Sequence, residues 1–234
     1  MSRSSPSEKI YRGAVDPTDS NSAWTKIVKM VPEHSRVLEI GCASGTISKF
    51  LSQTRRCTVT GIEVNAKAAA EANAFCQTII VADVEQDALE RVVDGPFDVI
   101  ILADVLEHLR DPETVLRKTK THLTPSGAVL LSLPNVAHWS VRSALLRGRF
   151  DYTYGGLLDD THLRFFTYDS ACELIQRSGF RITAFDLVHR CPLYWRWNSL
   201  YRAYDSSIGR FVRRYAKTLF GYQLVFRITP VTTA

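Results

Sequence analysis

The chain has 234 residues, 45% of them hydrophobic, which is long enough to bury a full α/β core. Five cysteines (Cys42, Cys57, Cys76, Cys172, Cys191), odd in number and without a C-x-x-C pair, exclude a disulfide scaffold and a zinc finger and fit reduced thiols used in packing. No run nears the roughly 18 apolar residues of a membrane span and residues 1–7 lack a signal-peptide core, so a cytoplasmic location is expected. The net charge of +5 is uneven: after His189 eight Arg/Lys stand against the single acid Asp205, and the remainder is slightly acidic.

Residues 1–20 are polar, contain Pro6 and Pro17, and are expected to form a flexible arm before one domain over 21–234. Residues 23–31 have helical spacing, with Asn21 or Ser22 as cap and Pro32 as stop. Next comes Arg36-Val-Leu-Glu-Ile-Gly-Cys-Ala-Ser-Gly45: an apolar run suited to a strand buried on both faces, an acid, and a small-residue loop entering a helix at 46–53. Small residues let a ligand approach the backbone, and the helix start turns its unpaired N–H groups toward it. A dinucleotide fingerprint needs glycine at the positions of Gly41, Ala43 and Thr46, and only the first fits. The pattern acid-x-G-x-G-x-G from Glu39 fits better, with Ala43 in place of the middle glycine.

A second strand over 57–62 ends at Glu63, eighteen residues past Gly45, where nucleotide-binding α/β folds place an acid for the ribose hydroxyls. The alanine-rich 65–75 is a predicted helix, and 78–81 a third strand closed by Ala82-Asp83. The fourth strand, 98–103, runs into Asp104-Val-Leu-Glu-His108. Asp111-Pro112-Glu113 opens the next helix with a capping acid, a first-turn proline and an acid at the positive end. After a turn at 124–127 the fifth strand, 128–133, ends in Pro134-Asn135. This alternation predicts an α/β fold with a right-handed, doubly wound parallel sheet whose ligands lie beyond the carboxyl ends of its strands. Helices at 141–146 and 170–177, an irregular aromatic stretch at 148–161, and strands at 180–187 and 223–228 complete the reading.

The E-I-G-C-A-S-G loop, I-E-V, V-A-D and F-D-V-I-I-L-A-D-V-L-E-H-L-R-D-P together resemble the class I methyltransferases that use S-adenosylmethionine, particularly the ubiquinone-type O-methyltransferases. Residues 134–139 with Leu146-Arg-Gly148 are also similar to MetW-type proteins, and T-H-L-R-F-F-T to bacterial methyltransferases acting on sugars, glycolipids and secondary metabolites. The resemblance implies a mostly parallel seven-stranded sheet with an antiparallel C-terminal hairpin. It also implies a cofactor site of Glu39, Gly41, Cys42, Ala43, Gly45, Glu63, Val64, Asp83, Val84 and Ala103, with Asp83 meeting the adenine amino group. Residues 136–168 would then form an insert on the acceptor side, and 189–222 a basic aromatic insert in the final hairpin.

Methyl transfer to a hydroxyl needs the acceptor aligned with the C–S bond and a route for its proton. Asp104, Glu107 and His108 share one side if their stretch is a helical turn, and His162 can fold over the same edge. The set resembles the divalent-metal site of ubiquinone-type and small-RNA 2′-O-methyltransferases, with Asp104 in place of the usual first glutamate. Three readings stay open: a Mg²⁺, Mn²⁺ or Zn²⁺ site, a metal-free base at His108 or His162 beside Glu107, and structural roles. His138 lines the acceptor pocket or is a buried, partnered histidine. Tyr152, Tyr154, Asp159 and Asp160 hold a sugar or aromatic acceptor, or simply make turns. Residues 194–222 interleave aromatics with arginines at helical spacing, as a solvated helix face, a membrane-surface contact for lipid-linked substrates, or, least favoured, a nucleic-acid contact. The expected activity is O-methylation of a small molecule. The alternatives are a metal-dependent RNA 2′-O-methyltransferase and a MetW-like accessory protein that binds cofactor and a partner.

Overall fold

A computed structural model describes residues 11–87, 89, 93–190 and 216–231. Its strands are β1 (Arg36–Ile40), β2 (Thr58–Glu63), β3 (Thr78–Val81), β4 (Phe97–Ala103), β5 (Leu123–Pro134), β6 (Phe180–His189) and β7 (Gly221–Pro230). They form one sheet in the order β3-β2-β1-β4-β5-β7-β6. The first five in sequence are parallel, and β7 runs antiparallel to both β5 and β6. Winding from β1 outward to β3 and then back to β4 puts the switch point between β1 and β4, where such sheets open a crevice.

The central strands are largely apolar because both sheet faces are covered, while the edge strands β3 and β6 carry exposed positions. Successive residues of β1 serve opposite faces: Val37 packs with Ile27 and Val28 of α1 (Ala23–Met30) and with Ile47 and Leu51 of α2 (Thr46–Thr54). Leu38 and Ile40 pack on the other face with Val115 and Leu116 of α4 (Pro112–Lys118) and with Ala171 and Ile175 of α6 (Tyr168–Arg177). Ser22 on α1 and Asp111 on α4 cap as expected; Asn65 caps α3 (Ala66–Ala72), and Thr167 caps α6, which starts two residues before the expected Ser170.

Two expectations change. The turn at 124–127 lies inside β5, where the four residues between Leu123 and Ala128 stand opposite the single residue between Phe97 and Val99 on β4. The Asp98 carboxylate fills the gap this irregularity opens, accepting from the Thr124 hydroxyl at 3.4 Å and from the Arg36 N–H at 2.9 Å. Residues 11–13, expected within a loose arm, are hydrogen-bonded at the sheet rim. The Ser44 and Thr46 hydroxyls donate to the carbonyls of Tyr11 and Gly13, and the Arg12 guanidinium pairs with Glu71 of α3. Within the basic insert, residues 191–215 lie outside the described residues.

Candidate active site

The loop after β1 is shaped by backbone. The N–H groups of Gly41 and Cys42 both donate to the Ile62 carbonyl, at 2.8 and 3.1 Å, so the loop closes onto the end of β2. Gly41 has φ +71°, and a Cβ there would stand 2.6 Å from Val105 Cγ2. Ala43 is left-handed too, at φ +47°. Glu63 braces the turn: one carboxylate oxygen accepts from the Ala43 N–H at 2.8 Å, the other from the Asn65 N–H at 2.9 Å. Gly45, at φ +81°, caps α2, and a Cβ there would lie 2.9 Å from the Ala72 Cα.

Two adjoining cavities, of about 430 and 570 Å³, open along this rim and share Tyr11, Gly41, Ala43, Asp104 and His108. Glu63, Val64, Asp83 and Val84 line the larger; Glu39, Cys42 and Ala103 line the smaller. Gly45 lines neither. Its missing side chain lets α3 close against the loop from behind. Glu39 accepts a short hydrogen bond from the buried Ser48 hydroxyl of α2, and burial nevertheless pushes its carboxyl up to about 8. Asp83 holds its own loop, accepting from the Glu85 N–H and the Gln86 amide.

The far wall of the smaller cavity carries the acceptor-side candidates. A 3₁₀ turn over Leu106–His108 buries Glu107 completely, and neither of its carboxylate oxygens has a hydrogen-bond partner among the described residues. Burial, then the charge of Asp104, raises its pKa well above the usual carboxylate range. The segment carrying His162 is pinned to this turn, because the N–H groups of Leu163 and Arg164 both donate to the Glu107 carbonyl, at 2.9 and 3.0 Å. One ligand atom each from Glu107, His108 and His162 then lie within 4.8 Å of one another, and the two rings meet edge to face at 4.9 Å. His108 Nδ1 faces the Thr161 carbonyl and His162 Nδ1 the Leu157 carbonyl, both at 3.3 Å. A carbonyl only accepts, so these 3.3 Å contacts favour hydrogen on Nδ1 of each neutral ring.

Asp104 stands apart from the other three members of the predicted set. It precedes the 3₁₀ turn with φ +55°, and its carboxylate accepts from the Ser132 hydroxyl at 2.8 Å and from the Gln223 amide at 2.8 and 2.9 Å. Burial raises its pKa against those hydrogen bonds. It lines both cavities yet stands outside the three-residue cluster. His138 is the buried, partnered histidine, capping α5 (Trp139–Leu145) and donating from Nε2 to the Arg190 carbonyl at 2.8 Å. Tyr152 and Tyr154 are exposed and line neither cavity, whereas Asp159 does line the smaller one. Tyr11, Thr161 and Gln223 were missed. Only Gln223, a lone amide at the head of an apolar strand, carried a sequence signal.

A doubly wound sheet with an acidic, glycine-bearing rim at its switch point defines a nucleoside-cofactor fold of the Rossmann-like class. Residues 19–184 match the family model for a methyltransferase domain, and the chain belongs to that family. Its fold is that of the class I S-adenosylmethionine-dependent methyltransferases, a family that implies S-adenosylmethionine as cofactor. It is 26% identical over 162 residues to the ubiquinone biosynthesis O-methyltransferase of Aeromonas salmonicida, covering 68% of each chain. With the enzyme of the same name from Pseudomonas aeruginosa (strain LESB58) it shares 34% over 104 residues, 43% of this chain and 44% of that one. The chain thus spans about two thirds of the first relative and under half of the second. A methyltransferase structure from Archaeoglobus fulgidus matches with TM-score 0.61 and 17% identity over 88% of this chain and 90% of that one. Magnesium protoporphyrin IX methyltransferase from Synechocystis, with bound SAH, matches with TM-score 0.57 and 16% identity over 89% and 80%. Among the described residues no helix is long and apolar enough to cross a membrane.

Proposed function

We propose that this chain transfers the methyl group of S-adenosylmethionine to a hydroxyl oxygen of a small molecule. One observation carries the reading: the two cavities meet at Gly41, Ala43, Asp104 and His108, so a cofactor held by the loops would present its methyl group to the wall bearing Glu107, His108 and His162. On this reading the adenosine lies along Glu63, Val64, Asp83 and Val84, with Glu63 accepting from the ribose hydroxyls. The methionine portion follows Glu39, Gly41, Cys42, Ala43 and Ala103. Glu63 can serve both backbone and ribose because each carboxylate oxygen offers more than one lone-pair site.

In the transfer, the acceptor oxygen attacks the methyl carbon, an O–C bond forms as the C–S bond breaks, and S-adenosylhomocysteine leaves as a neutral thioether. The hydroxyl proton must go to a base, and alignment supplies much of the remaining acceleration. One ring nitrogen each of His108 and His162 and the Glu107 carboxylate form one cluster that either takes this proton or holds a divalent cation. The donor set fits such a cation: a buried carboxylate without a partner beside two imidazoles whose Nδ1–H groups are anchored on carbonyls. Bound there, the cation would acidify the acceptor hydroxyl. The smaller cavity, about 430 Å³ and shared with the methionine portion, leaves room for a small acceptor rather than a polymer.

The test combines calorimetry with S-adenosylhomocysteine and transfer from methyl-tritiated cofactor to a panel of catechols and sugars, before and after EDTA dialysis. His108→Ala should lower transfer roughly 100-fold or more while affinity for S-adenosylhomocysteine stays within about twofold. Label appearing only on RNA would favour the RNA methyltransferase. Cofactor binding without transfer to any acceptor would favour the accessory protein.

A further inference from the structure

Thr161 makes contacts that the transfer itself does not explain. Its hydroxyl lies 2.6 Å from Asp159 Oδ1 and 3.0 Å from His108 Nδ1, and its N–H donates to the same Asp159 oxygen at 2.8 Å. Asp159 and Thr161 are each 98% buried, in the loop that passes over the acceptor-side cavity. The Tyr11 hydroxyl donates to the other Asp159 oxygen at 3.3 Å.

A hydroxyl has one proton to give. An ionised carboxylate only accepts, so the Thr161 proton goes to Asp159 and the lone pairs of that hydroxyl face His108. His108 Nδ1 therefore meets two acceptors, the Thr161 hydroxyl and the Thr161 carbonyl, and must itself be the donor. Neutral histidine in water favours the opposite form, with hydrogen on Nε2. We infer that Asp159, acting through Thr161, holds His108 in its Nδ1–H tautomer and so delivers the Nε2 lone pair to the acceptor. Both are positioning residues. The inference rests on the reading of His108 as part of the acceptor-side cluster, and it holds whether that lone pair takes a proton or binds a cation.

An Asp159 carboxylate that merely closes its own turn on the Thr161 N–H would leave His108 indifferent to the Thr161 hydroxyl, and experiment separates the two roles. In the full-length protein labelled with ¹⁵N-histidine, at alkaline pH where the ring is neutral, wild-type His108 should show a protonated Nδ1 and a bare Nε2. Thr161→Val should bring up a population protonated at Nε2, and Thr161→Ser should restore the wild-type spectrum. Asp159→Ala frees the hydroxyl proton to turn toward His108 and should move the proton to Nε2 as well, which gives a second reading if Thr161→Val does not fold. Methyl transfer should fall roughly 10- to 100-fold in Thr161→Val and Asp159→Ala with affinity for S-adenosylhomocysteine unchanged, and Thr161→Ser should keep most of it. A wild-type tautomer in both variants would overturn the inference. Normal transfer by His108→Ala would instead overturn the functional reading, leaving the tautomer result standing.

Discussion

The cofactor rim and the acceptor wall are made by different means. The rim is backbone geometry held over short sequence distances: two N–H groups on the Ile62 carbonyl, left-handed residues at 41, 43 and 45, and Glu63 reaching back to Ala43. The wall is side chains from four distant segments, with His108 meeting Thr161 across 53 residues, Asp104 meeting Gln223 across 119 and Tyr11 meeting Asp159 across 148. A site made of backbone tolerates little change of shape and much change of chemistry. A site made of side chains is the reverse.

The contrast is broken most forcefully at Gly45. A Cβ there meets the backbone of Ala72 at 2.9 Å, and the left-handed φ disfavours any branched residue. Gly45→Val should cost roughly 3 kcal/mol or more of stability and abolish binding of S-adenosylhomocysteine, by denaturant titration and calorimetry, although Gly45 lines neither cavity. Tight binding by this variant would mean that the rim is not set by backbone.

Glu39 tests the boundary between the two regions, as a titratable side chain set into the backbone-built rim. Its carboxyl is raised from 4.5 to about 8 by burial, against the Ser48 hydrogen bond. Between those values the folded chain keeps a proton that the unfolded chain has released. This contribution to stability is therefore full below about pH 4.5 and is lost as pH rises through about 8. Comparing Glu39→Gln with wild type by urea unfolding from about pH 5 to about pH 7.5 should show wild type losing on the order of 3 kcal/mol relative to the variant. Parallel pH profiles would refute the raised value.

The same division decides what the sequence could reveal. All seven strands were legible, the central ones because burial on both faces leaves apolar runs, and the Ser22 and Asp111 caps were legible because polar side chains sit where N–H groups need acceptors. Glu39, Gly41 and Glu63 could be placed on the rim from spacing alone. The wall was only half legible. Glu107 and His108 are neighbours in sequence, but the turn is 3₁₀ and begins after a left-handed Asp104, whose carboxylate bonds Ser132 and Gln223 instead of joining the cluster. Nothing local marks Tyr11 or Thr161, whose roles exist only once residues 11–13 and 159–164 are folded against the rim.

The smallest effect is the most discriminating. Ala43 stands where the loop pattern has glycine, and at φ +47° its Cβ crowds the following carbonyl, at a cost of about 1 to 2 kcal/mol. Glycine would relieve that cost while adding about 0.5 to 1 kcal/mol of unfolded-state entropy. Ala43→Gly should thus raise stability by some tenths of a kcal/mol up to about 1 kcal/mol, read from the urea midpoint at unchanged slope. Its N–H would still donate to Glu63, so affinity for S-adenosylhomocysteine should stay within about threefold. Lower stability would show that the Ala43 methyl contributes packing that outweighs its backbone strain, and the rim would then owe part of its shape to a side chain after all.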